Sequence, residues 1–198
     1  MPQLNGVYLL FPEMDSIDFE EIAQQSVQKL NHHTIENHLA NRLLYPQSVA
    51  MSKEELDLDF LILAAALKKH PEVFFNSKQN RIVIPTVAVG QLSPLTRLIS
   101  VVLNSLYSEN VIEIWLKDDA KQQLLGSSLP QQMLKKLNLL GDITVRIQQE
   151  EKTLIPNQLN LIPVRDKQVK IQINQSVTVD AVGGSLGIFI DLRQRGVL

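Results

Sequence analysis

The sequence predicts an α+β (mixed α/β) fold: a helical N-terminal part packed on a mixed sheet, followed by a C-terminal antiparallel β module. Three observations carry that expectation. Between residues 17 and 70, apolar residues recur at helical spacing behind recognisable caps. Residues 81–117 read strand, helix, strand, the order of a βαβ unit, which favours a right-handed parallel crossover. From Ile143 onward, apolar and polar residues alternate with period two. The chain accordingly divides into a mixed α/β domain over 1–142, with a central buried helix, and a β-rich module over 143–198 that is also compatible with membership of the same domain.

Each element has a local reason. Residues 6–12, GVYLLFP, form a short apolar run closed by Pro12, the pattern of a buried strand. Asp15 and Ser16 offer N-cap oxygens to a helix over 17–30, with Asp18, Glu20 and Glu21 at the positive end of its dipole. Thr34 is placed to cap a second helix carrying Ile35, Leu39 and Leu43 on one stripe, ended by Pro46. Ser52 and Glu55 match a capping box, and the helix behind them runs apolar all round from Phe60 to Leu67 before Pro71. Such a helix belongs in a core.

Residues 72–89 read as a hairpin with a polar turn at 77–80. Ser93-Pro94 predicts an N-cap with proline in the first turn of a helix reaching Tyr107, and Val111–Leu116 predicts a strand. Two short helices are then expected, Asp118–Leu125 ended by Gly126 and Pro130–Leu140 ended by Gly141, the second capped by Ser128 and Gln131. Val169, Ile171 and Ile173, then Val177 and Val179, mark two strands, and Leu186, Ile188, Ile190 and Leu192 share one face of a last one.

Composition excludes several classes. The chain has 198 residues, 44% of them hydrophobic, which argues against disorder. It has no cysteine, so it forms neither a disulfide scaffold nor a thiolate metal site. No apolar run approaches the roughly 18 residues of a membrane span. Residues 1–14 contain Glu13 and no basic region, so no signal peptide is expected, and a soluble cytoplasmic protein is. The 19 basic residues are balanced by 21 acidic ones, which argues against nucleic acid as a partner. The imbalance within the chain is slight: net −4 over 1–90 (7 basic, 11 acidic) and +2 over 91–198 (12 basic, 10 acidic).

The chemical motifs weigh against catalysis. Gly183-Gly184-Ser185-Leu186-Gly187 fits the G-x-S-x-G nucleophile elbow, but an elbow needs a helix after the serine and a later histidine. Here a strand pattern follows, and all histidines lie at or before position 70, so Gly183, Gly184 and Gly187 read as a structural turn. His32, His33, His38 and Glu36 cluster in sequence, yet His33 and His38 are five apart, the wrong spacing for two ligands on one helix face. No metal site is expected from them, and the phosphate-cradling glycine motifs are absent, so no cofactor is expected. The acid pairs Glu20-Glu21, Glu54-Glu55 and Asp118-Asp119 all fall in predicted first helical turns, where acids are favoured for electrostatic reasons alone.

Two stretches resemble known families. The segment from Leu154 to Leu198, ending VGGSLGIFIDLRQRGVL, resembles the C-terminal β module of glutamate mutase accessory proteins of the MutL/GlmL type. The resemblance rests on Gly183, Gly184, Leu186, Gly187, Ile188, Ile190, Asp191, Arg193 and Arg195, while Gln194 and Gly196 depart from that family's ending. The ATPase body of the family has no counterpart here, so the resemblance implies a shared β module and no nucleotide chemistry. Residues 93–150 resemble the helix, strand, acidic turn and helix of FliH-type export stator C-terminal domains, which by analogy implies a place in a secretion or other multiprotein complex.

The expected function is therefore a non-catalytic protein–protein interaction module, an adaptor or assembly factor with a protein partner. The competing expectation is a small-ligand binder or enzyme whose site is assembled from scattered polar residues. Two contact candidates stand out. Phe189, Asp191, Arg193 and Arg195 share the side of the last strand opposite its apolar row, an aromatic and arginine combination common at contact hot spots. Trp115, the only tryptophan, is an anchor if its side of the strand faces solvent and core if the strand is central.

Overall fold

A computed structural model describes residues 17–26, 29–45, 47–118, 121–137, 139, 143–147, 149–165 and 168–193, together with the backbone of 3, 4, 7 and 8. The fold is α+β, in two compact units. The first comprises residues 1–74 and 85–106, the second 75–84 and 107–198. The division thus does not fall at 142: residues 75–84 and 107–142 belong with the C-terminal strands.

In the first unit, β1 (Gln3–Leu4) pairs antiparallel with β2 (Val7–Tyr8). The rest of the expected 6–12 strand lies outside the described residues. Helix α1 (Phe19–Gln25) starts two residues later than the expected 17–30 helix, because Asp18 itself is the cap: its Oδ1 accepts from the backbone of Glu20 and Glu21, each at 3.0 Å. Asp15 and Ser16 lie outside the described residues. Helix α2 (His32–Leu44) is capped by Asn31, whose Oδ1 accepts from Thr34 N at 2.9 Å; Thr34 sits inside the first turn and is not the cap.

Helix α3 (Lys53–Lys69) follows its capping box, with Ser52 Oγ accepting from Glu55 N at 3.1 Å. The Glu55 carboxylate reaches back one residue further than expected, to Met51 N at 2.7 Å. Leu58, Phe60, Ile62, Leu63, Ala66 and Leu67 are buried, as an all-round apolar helix requires. It packs against α1 and against α5 (Leu95–Asn104), and runs into a 3-10 turn at Pro71–Val73. Helix α4 (Thr86–Gln91) occupies what the sequence predicted as the outer arm of a hairpin. Pro94, not Ser93, is the N-cap residue of α5, and no side chain caps that helix.

The second unit holds two sheets. The six-stranded sheet has the order β3 (Phe75–Asn76), β4 (Arg81–Pro85), β5 (Ile112–Lys117), β6 (Gln122–Leu129), β12 (Gly187–Asp191) and β9 (Leu159–Ile162). Strands β4 and β5 are neighbours, as the strand–helix–strand order predicts. The four-stranded sheet, antiparallel throughout, has the order β11 (Val177–Ala181), β10 (Val169–Ile173), β7 (Thr144–Ile147) and β8 (Glu150–Thr153). Val169, Ile171 and Ile173 are buried in one apolar cluster with Val145, Ile147, Val179 and Ala181, which the period-two pattern anticipates.

Residues 122–129 form a strand, not the helix predicted over 118–125. The cause is a tertiary contact. Strand β12 pairs with β6 in parallel, Gly187 opposite Gly126, and a Cβ on Gly126 would stand 1.7 Å from the Gly187 carbonyl oxygen. Gly126 has φ +150° and Gly187 φ +116°, values open chiefly to glycine. Against β5 the register slips by one residue between Ile114 and Trp115, the signature of a bulge. Ser128 therefore belongs to a strand and is fully buried, so it caps nothing; α6 (Gln131–Lys136) starts from Pro130 without a side-chain cap.

Two substitutions test this architecture in urea melts. Gly126→Ala should cost at least about 3 kcal/mol, because backbone of β12 occupies the space of the new methyl group. Leu63→Ala, at a position 1% exposed, should cost about 2–5 kcal/mol through the cavity it leaves.

Candidate interaction surface

In the first unit, α2 places His38 and Arg42 four residues apart, on one helix face. Helix α3 presents Asp59 to that face from between Leu58 and Phe60, and the Asp59 side chain is 1% exposed. An unpaired carboxylate at that depth is costly by several kcal/mol. Arg42 answers it with a bidentate fork: Nε donates to Oδ1 at 3.0 Å, and Nη2 donates to Oδ2. His38 Nε2 lies 2.7 Å from the same Oδ1.

The network continues outward into the α2–α3 connection. Arg42 Nη1 donates to Ser48 Oγ at 2.7 Å, and Ser48 Oγ donates to the Tyr45 carbonyl at 2.8 Å. Ser48 N donates to the same carbonyl at 2.9 Å, closing a tight turn. At the far end, the Glu55 carboxylate holds Met51 N. A connection pinned at both ends then holds its apolar side chains outward. Leu44, Tyr45, Val49 and Met51 are 50–87% exposed, and they are four of the six large apolar side chains standing in solvent among the described residues. Beside them lies a shallow depression of 360 Å³, lined by Val49, Ala50, Met51, Leu56 and Gly90 among others.

The chemistry of this network is structural. Ser48 bonds the arginine and a carbonyl rather than the histidine, so the order of a Ser–His–Asp relay is not formed. The remaining histidines point elsewhere. His32 meets Phe19 edge-on at 4.8 Å, His33 sits 3.7 Å from Glu36 on the surface, and His70 bonds Glu72 at 3.2 Å. Backbone hydrogen bonding and then His70 hold the Glu72 carboxyl below its ordinary pKa. Among the described residues, no group of three or more His, Asp or Glu is placed to hold a metal.

The contact candidates of the sequence fall in the second unit and are not brought together. Phe189 and Asp191 are each 1% exposed, so they form no surface. The expectation fails because β12 lies between β6 and β9 and is buried on both faces. Arg193 folds back on Asp191, its Nε 2.7 Å from Oδ1 and its Nη2 2.8 Å from Oδ2; Arg195 lies outside the described residues. Trp115 is half-buried on β5, its Nε1 donating to Glu113 Oε2 at 2.9 Å, with the Arg81 guanidinium 4.6 Å above its ring and bonded to the same carboxylate. Of the three glycines expected to form a structural turn, Gly183 and Gly184 lie in the connection before β12 and Gly187 is the first residue of that strand; Gly184 N donates to Val164 O at 3.0 Å, and the neighbouring Ser185 is exposed before a strand, not a helix. A Cβ at Gly184 would meet backbone of Leu125 and Gly126 within 2.7 Å, and one at Gly187 would meet Ile162 O at 2.2 Å.

Sequence reasoning missed the Asp59–Arg42 pair. Its available signal was the i, i+4 spacing of His38 and Arg42 beside the buried stripe of Ile35 and Leu39. The pair is testable by a double-mutant cycle. Arg42→Met should cost about 3–5 kcal/mol by leaving Asp59 buried and uncompensated, and Arg42→Met/Asp59→Leu should recover most of it. Denaturant melts of the two variants check this; a costless single substitution would sink the network. No family model, no curated protein and no solved structure matches the chain.

Proposed function

We propose that the protein is a non-catalytic interaction module, an adaptor or assembly factor, that docks an apolar segment of another protein on residues 44–51. One observation carries the reading: four large apolar side chains stand exposed within eight residues, beside a turn that Ser48 ties to the Arg42–Asp59 pair. Exposed Leu, Tyr, Val and Met gathered in this way mark association surfaces in soluble domains. Each side chain, once covered, contributes about 1.5–3 kcal/mol. The turn beneath is already fixed, so little ordering entropy opposes association. The loop from Tyr45 to Met51 carries no charge, which favours an apolar partner surface over an acidic peptide or a polyanion. No helix among the described residues is long and apolar enough to cross a membrane, so this patch is not part of such a span.

A Tyr45→Ser/Met51→Ser variant tests the proposal. Both positions are exposed, so its melting should stay within about 0.5 kcal/mol of the parent for each substitution. In affinity capture from the native cell, the parent chain should retain a stoichiometric protein and the variant should lose it. Capture of no such protein by the parent, or undiminished capture by the variant, overturns the reading.

A further inference from the structure

The four-stranded sheet of the second unit ends in two edges of opposite character. Strand β8 is exposed at every residue and carries Glu150, Glu151 and Lys152. Charges of this kind discourage a further strand from adding. Strand β11 reads Val177-Thr178-Val179-Asp180-Ala181, with Val179 and Ala181 buried, Val177 half-buried, and Thr178 and Asp180 exposed. Its inner side pairs with β10 over all five residues, and no described strand pairs with its outer side.

We propose that β11 is a self-association edge, on which a second copy of this chain pairs antiparallel about a two-fold axis through Val179. Two features of the strand select that occupant. The first is parity. Residues facing each other across an antiparallel pair lie on the same side of the sheet. A two-fold axis normal to the sheet passes through such a facing position and keeps both apolar undersides on one side. Through Val179, the axis sets Val177 opposite Ala181 of the second copy and Val179 opposite itself, so the apolar row continues across the junction. The second feature is charge. The same register sets Thr178 opposite Asp180 of the second copy, twice by symmetry, a hydroxyl that donates against a carboxylate that accepts. On strand β8, an axis through Glu150, Glu151 or Lys152 sets that charge opposite itself.

The contact is five residues long, at the small end of specific interfaces, so a dimer dissociating on the order of micromolar is expected. Sedimentation equilibrium of the full chain over a micromolar series measures it. Thr178→Asp, which opposes two carboxylates at each end of the contact, should weaken dimerisation roughly tenfold or more. The exchange Thr178→Asp/Asp180→Thr restores the pairing and should restore the dimer. Because the chain lacks cysteine, register can be read directly. A mixture of Thr178→Cys and Asp180→Cys proteins should form an intermolecular disulfide far faster than either protein alone. A parent chain that stays monomeric throughout the series overturns the proposal. So does a Thr178→Asp chain that dimerises like the parent, or cysteine variants that crosslink no faster mixed than separate. None of these outcomes depends on residues 44–51, so the adaptor reading stands or falls apart from it.

Discussion

The close passage of β12 beside β6 is the constraint on which the second unit depends. Gly126 and Gly187 face each other in a parallel pair, and the Ile162 carbonyl approaches Gly187 from the other side. Backbone atoms occupy the places where side chains would begin, so three successive strands, β6, β12 and β9, lie closer at this point than any Cβ allows. The consequences spread outward. Strand β12 becomes central and is buried on both faces, so Phe189 joins the core and the Asp191 carboxylate goes with it. That carboxylate is tolerated because Arg193, two residues on, folds back with its backbone N–H and its guanidinium. The G-x-S-x-G pattern, which in another setting shapes a nucleophile, here contains Gly184 and Gly187, whose backbones pass too near β6 and β9 for a side chain.

A buried carboxylate organises the first unit as well, with a different outcome. Asp59 lies inside α3, and its neutralisation by Arg42 aligns α2 against it. The guanidinium has donors to spare after meeting the acid, and one reaches Ser48 in the connecting loop. Interior electrostatics thereby fix the backbone of a surface segment. Leu44, Tyr45, Val49 and Met51 stand exposed at the end of α2 and along that segment, and they are the apolar side chains that the proposed function uses.

What the sequence made legible, and what it hid, follows from the range of the interactions. The Ser52 cap, the all-round apolar helix from Phe60 to Leu67, and the alternation at Val169, Ile171 and Ile173 are set by neighbours within a few residues, and the structure has all of them. The 118–125 helix failed because Gly126 looks like a helix stop when read locally. Its real demand comes from Gly187, far along the chain. The Phe189 surface failed for a related reason: alternation assigns residues to two sides of a strand but does not say whether both sides are covered. Trp115 sits between the two readings, half-buried under Arg81 and tied to Glu113. Asp59 was hidden by its position at the start of an apolar run, where a lone acid looks like a solvated helix face. Spacing could pair His38 with Arg42 on α2, but it could not name the helix that faces them.

A sheet that ends in solvent must deal with the unpaired amides of its edges. The two ends of the four-stranded sheet do so differently. Strand β8 repels further pairing with a charge at three of its four positions. Strand β11 keeps one acid, Asp180, in register opposite Lys170 of β10, while its apolar residues alternate inward. An alternating edge with no described strand on its outer side invites any extended chain, including runs of its own copies. Two-fold pairing through Val179 removes that hazard in one step, since it covers both β11 edges at once and leaves two β8 edges outermost. Growth then stops at two copies, because an isologous contact uses the same strand on each side and has none left to offer.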